Sequence, residues 1–426
     1  MDKIIYDTYV KTLHDELLPA MGCTEPIAVA YAAALARDTL GKTANEVEIT
    51  VSGNILKNVK SVVVPNTGGL RGVISATAAG IAVGVADKKL EVLSEVTELN
   101  KPEIEKYLNS TKFTVKQSVS DCIFDISIKE IFEKEYALVR ITGHHTNVVR
   151  IEKNGKILFS TNSENEEAVL DNTIDNLFSV SNIIKFADTV NLKDVEDVLE
   201  RQIAFNTAIA EEGLKNDYGA NVGKVLLKAF GNDVHNLAKA TAAAGSDARM
   251  NGCNLPVVIV SGSGNQGMTA SLPVIVYAKH LKVDHEKLLR ALVVSDLITV
   301  HLKRDIGRLS AYCGAVSAGV GAGAGICYLY GGKTDEISHT IVNALAIDSG
   351  IICDGAKSSC AAKIASAVES GLLGMEMYKH GNQFYGGDGI IEKGVENTIK
   401  NVGNLARNGM RETDEEIIRL MIKNIK

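Results

Sequence analysis

The 426-residue chain has no long run of charge of one sign: 45 Lys and Arg stand against 52 Asp and Glu, a formal net charge of −7, and its like-charge clusters are as short as Glu164–Glu167. A nucleic-acid surface needs a basic face, and none is written here. No charged and then apolar leader ending in a small-residue cleavage site opens the sequence, so nothing directs export and the cytoplasm is the expected location. There is no internal repeat and no low-complexity linker. The seven cysteines include no close CxxC pair, which excludes the usual spacing of structural zinc sites and of ferredoxins. Their odd number, without a leader, does not look like a disulfide framework; reduced thiols, buried or recruited for metal or catalysis, are expected.

One stretch, Ala311–Tyr330, lacks charge for long enough to span a bilayer on paper, with Tyr312, Tyr328, Tyr330, Arg308 and Lys333 near its ends. It is mostly Gly, Ala and Ser with few large apolar side chains, and no second span accompanies it. The expectation is a tightly packed helix in a soluble core.

The length favours two domains. Residues 2–40 read as two helices, the first carrying Tyr9, Val10, Leu13, Leu17 and Leu18 on one face, the second beginning near Pro26. From Glu46 to Ser160 the texture is that of strands, at Val47–Val51, Lys60–Pro65, Phe113–Ser118, Cys122–Ile131, Tyr136–Gly143, Asn147–Lys153 and Lys156–Ser160, the last two joined by Asn154-Gly155. Helices intervene at about Gly72–Asp87 and Lys101–Leu108. Beyond Ser163 nearly everything reads as helix, from Glu166–Ala187 through Met268–His280 to Gly389–Ala406 and Thr413–Ile425. The expected fold is mostly α with an inserted α+β module. A helical catalytic domain (1–42 and 163–426) surrounds a smaller mixed-sheet domain (43–162).

Cys313, Cys353 and Cys360 punctuate two Gly/Ala-rich segments beside Asp348-Ser-Gly350 and Asp354-Gly355. Three such cysteines are either buried small hydrophobes or the ligands of a metal site with one side open. Gly262-Ser-Gly264-Asn-Gln-Gly267 is formally a dinucleotide fingerprint, but no βαβ alternation follows to supply a parallel sheet. What survives is a helix start that favours an anion, with a carboxylate as the natural candidate and Ser263, Asn265 and Gln266 as extra donors. Cys23, in the loop Gly22-Cys-Thr-Glu-Pro26, is either a thiol of lowered pKa that handles protons or a buried cap-region thiol. In Gly143-His-His-Thr-Asn147 the adjacent histidines face opposite ways if extended, so one at most serves a site. The stretch Ser246-Asp-Ala-Arg249 anchors a carboxylate or closes an ordinary helix-loop ion pair. Cys122, Cys253 and Cys327 fit a packing role, and His301, Lys303, Arg304 and Arg308 a solvated helix end, unless one of them faces the metal site.

Taken together, Gly22-Cys-Thr-Glu-Pro-Ile27, Gly143-His-His-Thr-Asn147, Ser246-Asp-Ala-Arg-Met250, Ser261-Gly-Ser-Gly-Asn-Gln-Gly-Met268, Arg308-Leu-Ser-Ala311 before Cys313, and Ile352-Cys-Asp-Gly-Ala356 leading to Cys360 resemble the L-cysteine desulfidase family, over essentially the whole chain. That family is related to the α-region of iron–sulfur L-serine dehydratases. The resemblance implies a [4Fe–4S] cluster on Cys313, Cys353 and Cys360, no pyridoxal phosphate, and proton transfer by Cys23. The substrate-facing set is then Thr24, Glu25, His145, Thr146, Asn147, Arg249, Ser263, Gly264, Asn265 and Gln266. The implied reaction is a lyase step of cysteine catabolism, α,β-elimination of L-cysteine with Cys23 thiolate as base. The Ser-Ser-His-Thr loop of the serine dehydratases is absent, which sets L-serine on the same scaffold as the alternative. A non-catalytic iron–sulfur redox sensor and a metal-free carboxylate binder are rivals of another class. For partners the reading expects a small amino acid, neither nucleic acid nor membrane, and leaves room for a homodimer.

Overall fold

The computed structural model describes residues 1–120, 122–161, 177–307 and 309–422. Helix α1 (Lys3–Glu16), strand β1 (Pro19–Met21) and helix α2 (Thr24–Leu40) come first. They are followed by β2 (Glu46–Val51), α3 (Gly53–Val59), α4 (Gly72–Val83) and α5 (Lys101–Ser110). Strands β3 (Lys112–Gln117), β4 (Asp125–Phe132), β5 (Glu135–Thr142), β6 (Val148–Lys153) and β7 (Lys156–Ser160) complete the β-rich part. Then come helices α6 (Val180–Thr189), α7 (Glu196–Lys215), α8 (Val222–Phe230) and α9 (Val234–Met250), and strand β8 (Pro256–Val258). Helices α10 (Gly264–Leu281), α11 (His285–Ile306), α12 (Gly314–Leu329) and α13 (Thr334–Asp348) follow. The chain ends in α14 (Cys360–Lys379), α15 (Val395–Asn404) and α16 (Arg411–Ile422). The architecture is mostly α with a mixed-sheet module.

The main sheet has the order β3-β2-β4-β5-β6-β7, with β2 and β3 parallel and every other pair antiparallel. Period-two patterning sets its buried face: Val47, Ile49 and Val51, Ile126 and Ile128, Ala137, Val139 and Ile141 all turn inward. Helix α2 packs on β4 and β5 and crosses α4, whereas α1 packs against α6 and α11.

The helical part is centred on α12, packed by α10, α11, α13 and α14 and buried from Ala315 to Leu329. Its glycines weaken it as an isolated helix, by roughly 1 kcal/mol each relative to alanine. They are tolerated because neighbouring backbones lie against them. A Cβ at Gly319 would stand 2.2 Å from the Ala367 carbonyl oxygen, and one at Gly371 2.3 Å from that of Gly319. The α12–α14 contact is therefore backbone on backbone, and it fixes where both helices begin. Among the described residues no helix is long and apolar enough to cross a membrane.

A second, two-stranded sheet pairs β1 with β8 in antiparallel register, Pro19 opposite Val258 and Met21 opposite Pro256. This ladder brings the Cys23 loop beside the Gly262–Gly267 turn, although they are far apart in sequence.

Several elements differ from the sequence reading. Lys60–Pro65 is not a strand: Ser52 caps the short helix α3 by accepting from Ile55 N, and Val63 then makes a single bridge to Arg71. Strand β4 starts at Asp125 rather than Cys122, α10 at Gly264 rather than Met268, and α15 only at Val395. Of the helix expected over Glu166–Ala187, residues 166–176 lie outside the described residues, as does Arg308; Val180–Thr189 is helical.

Candidate active site

Cys313 is the N-cap of α12 and Cys360 the first residue of α14, so both thiols sit at the positive ends of long helices. Cys353 is brought in by a short antiparallel contact: Cys313 N donates to Ile351 O (3.0 Å) and Cys353 N to Ala311 O (2.6 Å). Burial, and then the proximity of Cys353 and Cys360, pushes the Cys313 thiol up to about 12. Four lysines stand around the loop. Lys363 and Lys357 both pair with Asp354, which they hold at about 2 against the opposing effect of burial, and Lys57 Nζ reaches Cys353 O at 3.4 Å. Lys303, in the last turn of α11, is 5 % exposed and lines the same cleft. Of the solvated helix end expected there, His301 and Lys303 are buried and Arg304 is half-buried; α15 packs against it, and His301 bonds Glu396 at 2.8 Å.

The three cysteines are free thiols lining one cleft. Among the described residues no three His, Cys, Asp or Glu side chains converge closely enough for a single metal ion. Soft sulfur donors, Cys313 buried and Cys353 and Cys360 half-buried, with lysines beside them to offset thiolate charge, fit a multinuclear metal group rather than a single ion. Cys122, Cys253 and Cys327 do not line this cleft.

Cys23 opens on the same cleft as the N-cap of α2. Its Sγ–H donates to Glu25 Oε2 (3.0 Å), Thr24 Oγ1 donates to Gly262 O (2.9 Å), and Asn58 Nδ2 donates to Glu25 Oε1 (3.1 Å). Of the paired histidines, His144 is exposed and His145 buried, packed edge-on against Phe124, its Nε2 4.0 Å from Glu25 Oε1. Burial alone would raise the Glu25 carboxyl, but His145 and the Cys23 thiol outweigh it and hold it at about 2. Burial and the charge of Glu25 push the Cys23 thiol well up, with Arg249 pulling the other way. The expected thiolate is thus a protonated thiol at rest, since a buried sulfur beside a carboxylate keeps its proton.

Arg249, on the last turn of α9, is 2 % exposed, and its guanidinium has no hydrogen bond or ion pair among the described residues. It does not pair with Asp247, whose Oδ2 instead accepts from Gly223 N (3.0 Å) at the start of α8. The guanidinium lies against the start of α10, where a Cβ at Gly264 would stand 2.5 Å from Nε. Ser263, Asn265 and Gln266 line the cleft there. Thr146 and Asn147 do not: Asn147 Nδ2 closes the β5–β6 turn on Thr142 O (3.0 Å). Lys57 and Asn58 were missed in the sequence because α3 itself was missed; the Ser52 cap before Gly53–Val59 was the available signal.

The model of the serine dehydratase alpha chain family matches residues 87–419. The chain belongs to that family. It is therefore related to the α-region of the iron–sulfur L-serine dehydratases, a group of lyase-type enzymes. Among its relatives it is 59 % identical to a UPF0597 protein of Desulfitobacterium hafniense (strain Y51), over 98 % of this chain and 97 % of the relative. A UPF0597 protein of Lachnoclostridium phytofermentans is 50 % identical over 98 % and 100 % of the two chains, and one of Treponema denticola 44 % identical over the full length of both. The family match spans His145, Arg249, the α10 start and all three clustered thiols, and begins after Cys23 and Glu25.

Proposed function

We propose that this chain is an iron–sulfur-dependent L-cysteine desulfidase, eliminating sulfide from L-cysteine to give pyruvate and ammonia without pyridoxal phosphate. The observation that carries the proposal is that Cys23, Cys313, Cys353, Cys360 and an uncompensated, buried Arg249 line one cleft. Cys313, Cys353 and Cys360 would hold a [4Fe–4S] cluster, which when bound supplies Lewis acidity toward the leaving sulfur.

The remaining work falls to the chain. Arg249 and the free N–H groups at the start of α10 bind the substrate carboxylate, and so orient Cα toward Cys23. Glu25 takes the Cys23 thiol proton along the Sγ–Oε2 hydrogen bond; the thiolate then removes the α-proton as the Cβ–S bond breaks with its electron pair on sulfur, and the proton on Glu25 leaves with the departing sulfur as HS⁻, which restores the resting carboxylate. The first transfer is uphill in the resting cleft, and Arg249 is the group that favours it. Burial of His145 and Phe124 behind Glu25 keeps water from that carboxylate. Aminoacrylate then tautomerises and hydrolyses to pyruvate and ammonia.

The test is an anaerobic preparation in which iron and sulfide are quantified, with L-cysteine and L-serine turnover compared. About four irons per chain and sulfide release are expected. Cys353→Ser should lose the iron, and normal iron content in that variant would count against the ligand assignment. Cys23→Ala should keep the iron and lose turnover. The family match favours one second reading, L-serine as the better substrate, and the ratio of the two turnovers separates them.

A further inference from the structure

Three side-chain acceptors lining the cleft have no partner once this chemistry is assigned: Asn58 Oδ1 on α3, and two that stand together at the start of α10. Gln266 is 5 % exposed, and its Oε1 is buried without a hydrogen-bond partner. Its amide lies across Gly314, where a Cβ would come within 2.7 Å of Cδ, and so sits beside Cys313. Asn265, in the same first turn of α10, points Nδ2 at Met250 Sδ (3.6 Å) and leaves its own Oδ1 buried and unpartnered. Carbonyl oxygens withdrawn from water without a partner cost free energy, so a site that keeps two of them together is built for a donor that arrives with the ligand. Arg249 states the opposite demand at the same helix start, a buried cation without an anion. A ligand that meets both carries a carboxylate and a cationic donor a few atoms apart, as a free α-amino acid does.

We propose that Gln266, with Asn265 beside it, recognises the α-ammonium group of the substrate, and that this pair restricts the site to zwitterionic amino acids against their des-amino counterparts. The inference rests on the reading of the cleft as an amino-acid site and assigns the residue that sets the substrate class. It reverses the roles expected from sequence, in which these amides donate to the carboxylate. Arg249 and the helix start hold the carboxylate; the amide oxygens accept from the ammonium.

The experiment uses the cluster-loaded protein with two non-reacting probes, L-alanine, which has both charged groups, and propionate, which lacks the ammonium. Each is titrated calorimetrically and as an inhibitor of L-cysteine turnover. The wild-type protein should bind L-alanine at least about tenfold more tightly than propionate. In Gln266→Met that preference should fall toward parity with propionate binding little changed, whereas Arg249→Met should weaken both probes and preserve their ratio. Absence of a preference in the wild type, or its full retention in Gln266→Met, overturns the proposal. If Gln266→Met does not fold, Gln266→Glu decides: a full negative charge should keep or raise the preference, and a fall refutes the assignment. A protein that prefers L-alanine yet releases no sulfide supports the recognition and counts against the elimination. Sulfide release without any preference counts against Gln266 alone.

Discussion

Two buried carboxyls show how place in the fold, rather than residue type, decides protonation. Glu25 is held at about 2 by His145 and the Cys23 thiol. Asp296, in the middle of α11, has only Gln202 Nε2 donating to Oδ1 (2.9 Å), and its Oδ2 has no partner. Burial therefore raises it from 3.8 to about 7. The signs are opposite. Glu25 contributes stability above its unfolded pKa that is lost as pH falls toward 2. The folded state holds a proton on Asp296 that the unfolded chain releases near pH 4, so stability declines as pH rises from about 4 to 7. Asp296→Asn keeps the shape and the Gln202 contact without the ionisation. It should match the wild type at pH 4 and exceed it at pH 8 by roughly 2–4 kcal/mol. Urea denaturation at the two pH values measures this, and equal stabilities at pH 8 would show that Asp296 is solvated or paired.

At the scale of elements, the helices that carry Cys313 and Cys360 at their first turns are clamped by glycine. In Gly319→Ala the new methyl meets the Ala367 carbonyl at 2.2 Å, so α12 and α14 must move apart. The cost should be about 2 kcal/mol or more, and iron retention should fall although no ligand is altered. Gly350→Ala, where nothing lies within 4 Å, is the control and should change stability little. Chemical denaturation and the iron-to-protein ratio read both effects, and parity of the two variants would remove the clamp. The run Ala315–Gly325 was legible as a close-packed helix because small residues permit little else in a buried core. Helix α3 was not, since the Val62, Val63 and Val64 run drew the reading to a strand at Lys60–Pro65 and left residues 53–59 without an element, while the Ser52 cap that starts the helix is one weak local signal. The alternation of β4 and β5 gave those strands directly; the turn before Asp125 was hidden by the apolar Cys122-Ile-Phe124.

At the scale of the molecule, the cleft is assembled from segments that only tertiary structure joins. The motifs at Cys23, Arg249, Gly262 and the three thiols were readable as a set, but the pairing of β1 with β8 was not, because strands three residues long carry no periodicity. Nor was the packing of the far end of the chain behind the Lys57 side of the cleft. Helix α16 lies on α3, where Asp414 Oδ1 meets Lys57 Nζ at 2.5 Å, Lys60 Nζ donates to Met421 O (2.5 Å), and Ile418 covers Gly53. The Lys57 side chain is 2 % exposed and also donates to Cys353 O (3.4 Å), so a C-terminal carboxylate neutralises a cation that props the thiol loop. Asp414→Asn leaves that cation buried without its anion, which should cost roughly 2–4 kcal/mol and lower iron retention. Lys57→Met combined with Asp414→Leu removes both charges and should recover most of the stability, since a buried ion pair replaced by apolar groups is often neutral. It should not recover the iron, because the prop on Cys353 is gone. Measured together, stability and iron content separate the two roles of Lys57: if iron returns with stability in the double variant, the loop needs only a packed floor and not a donor.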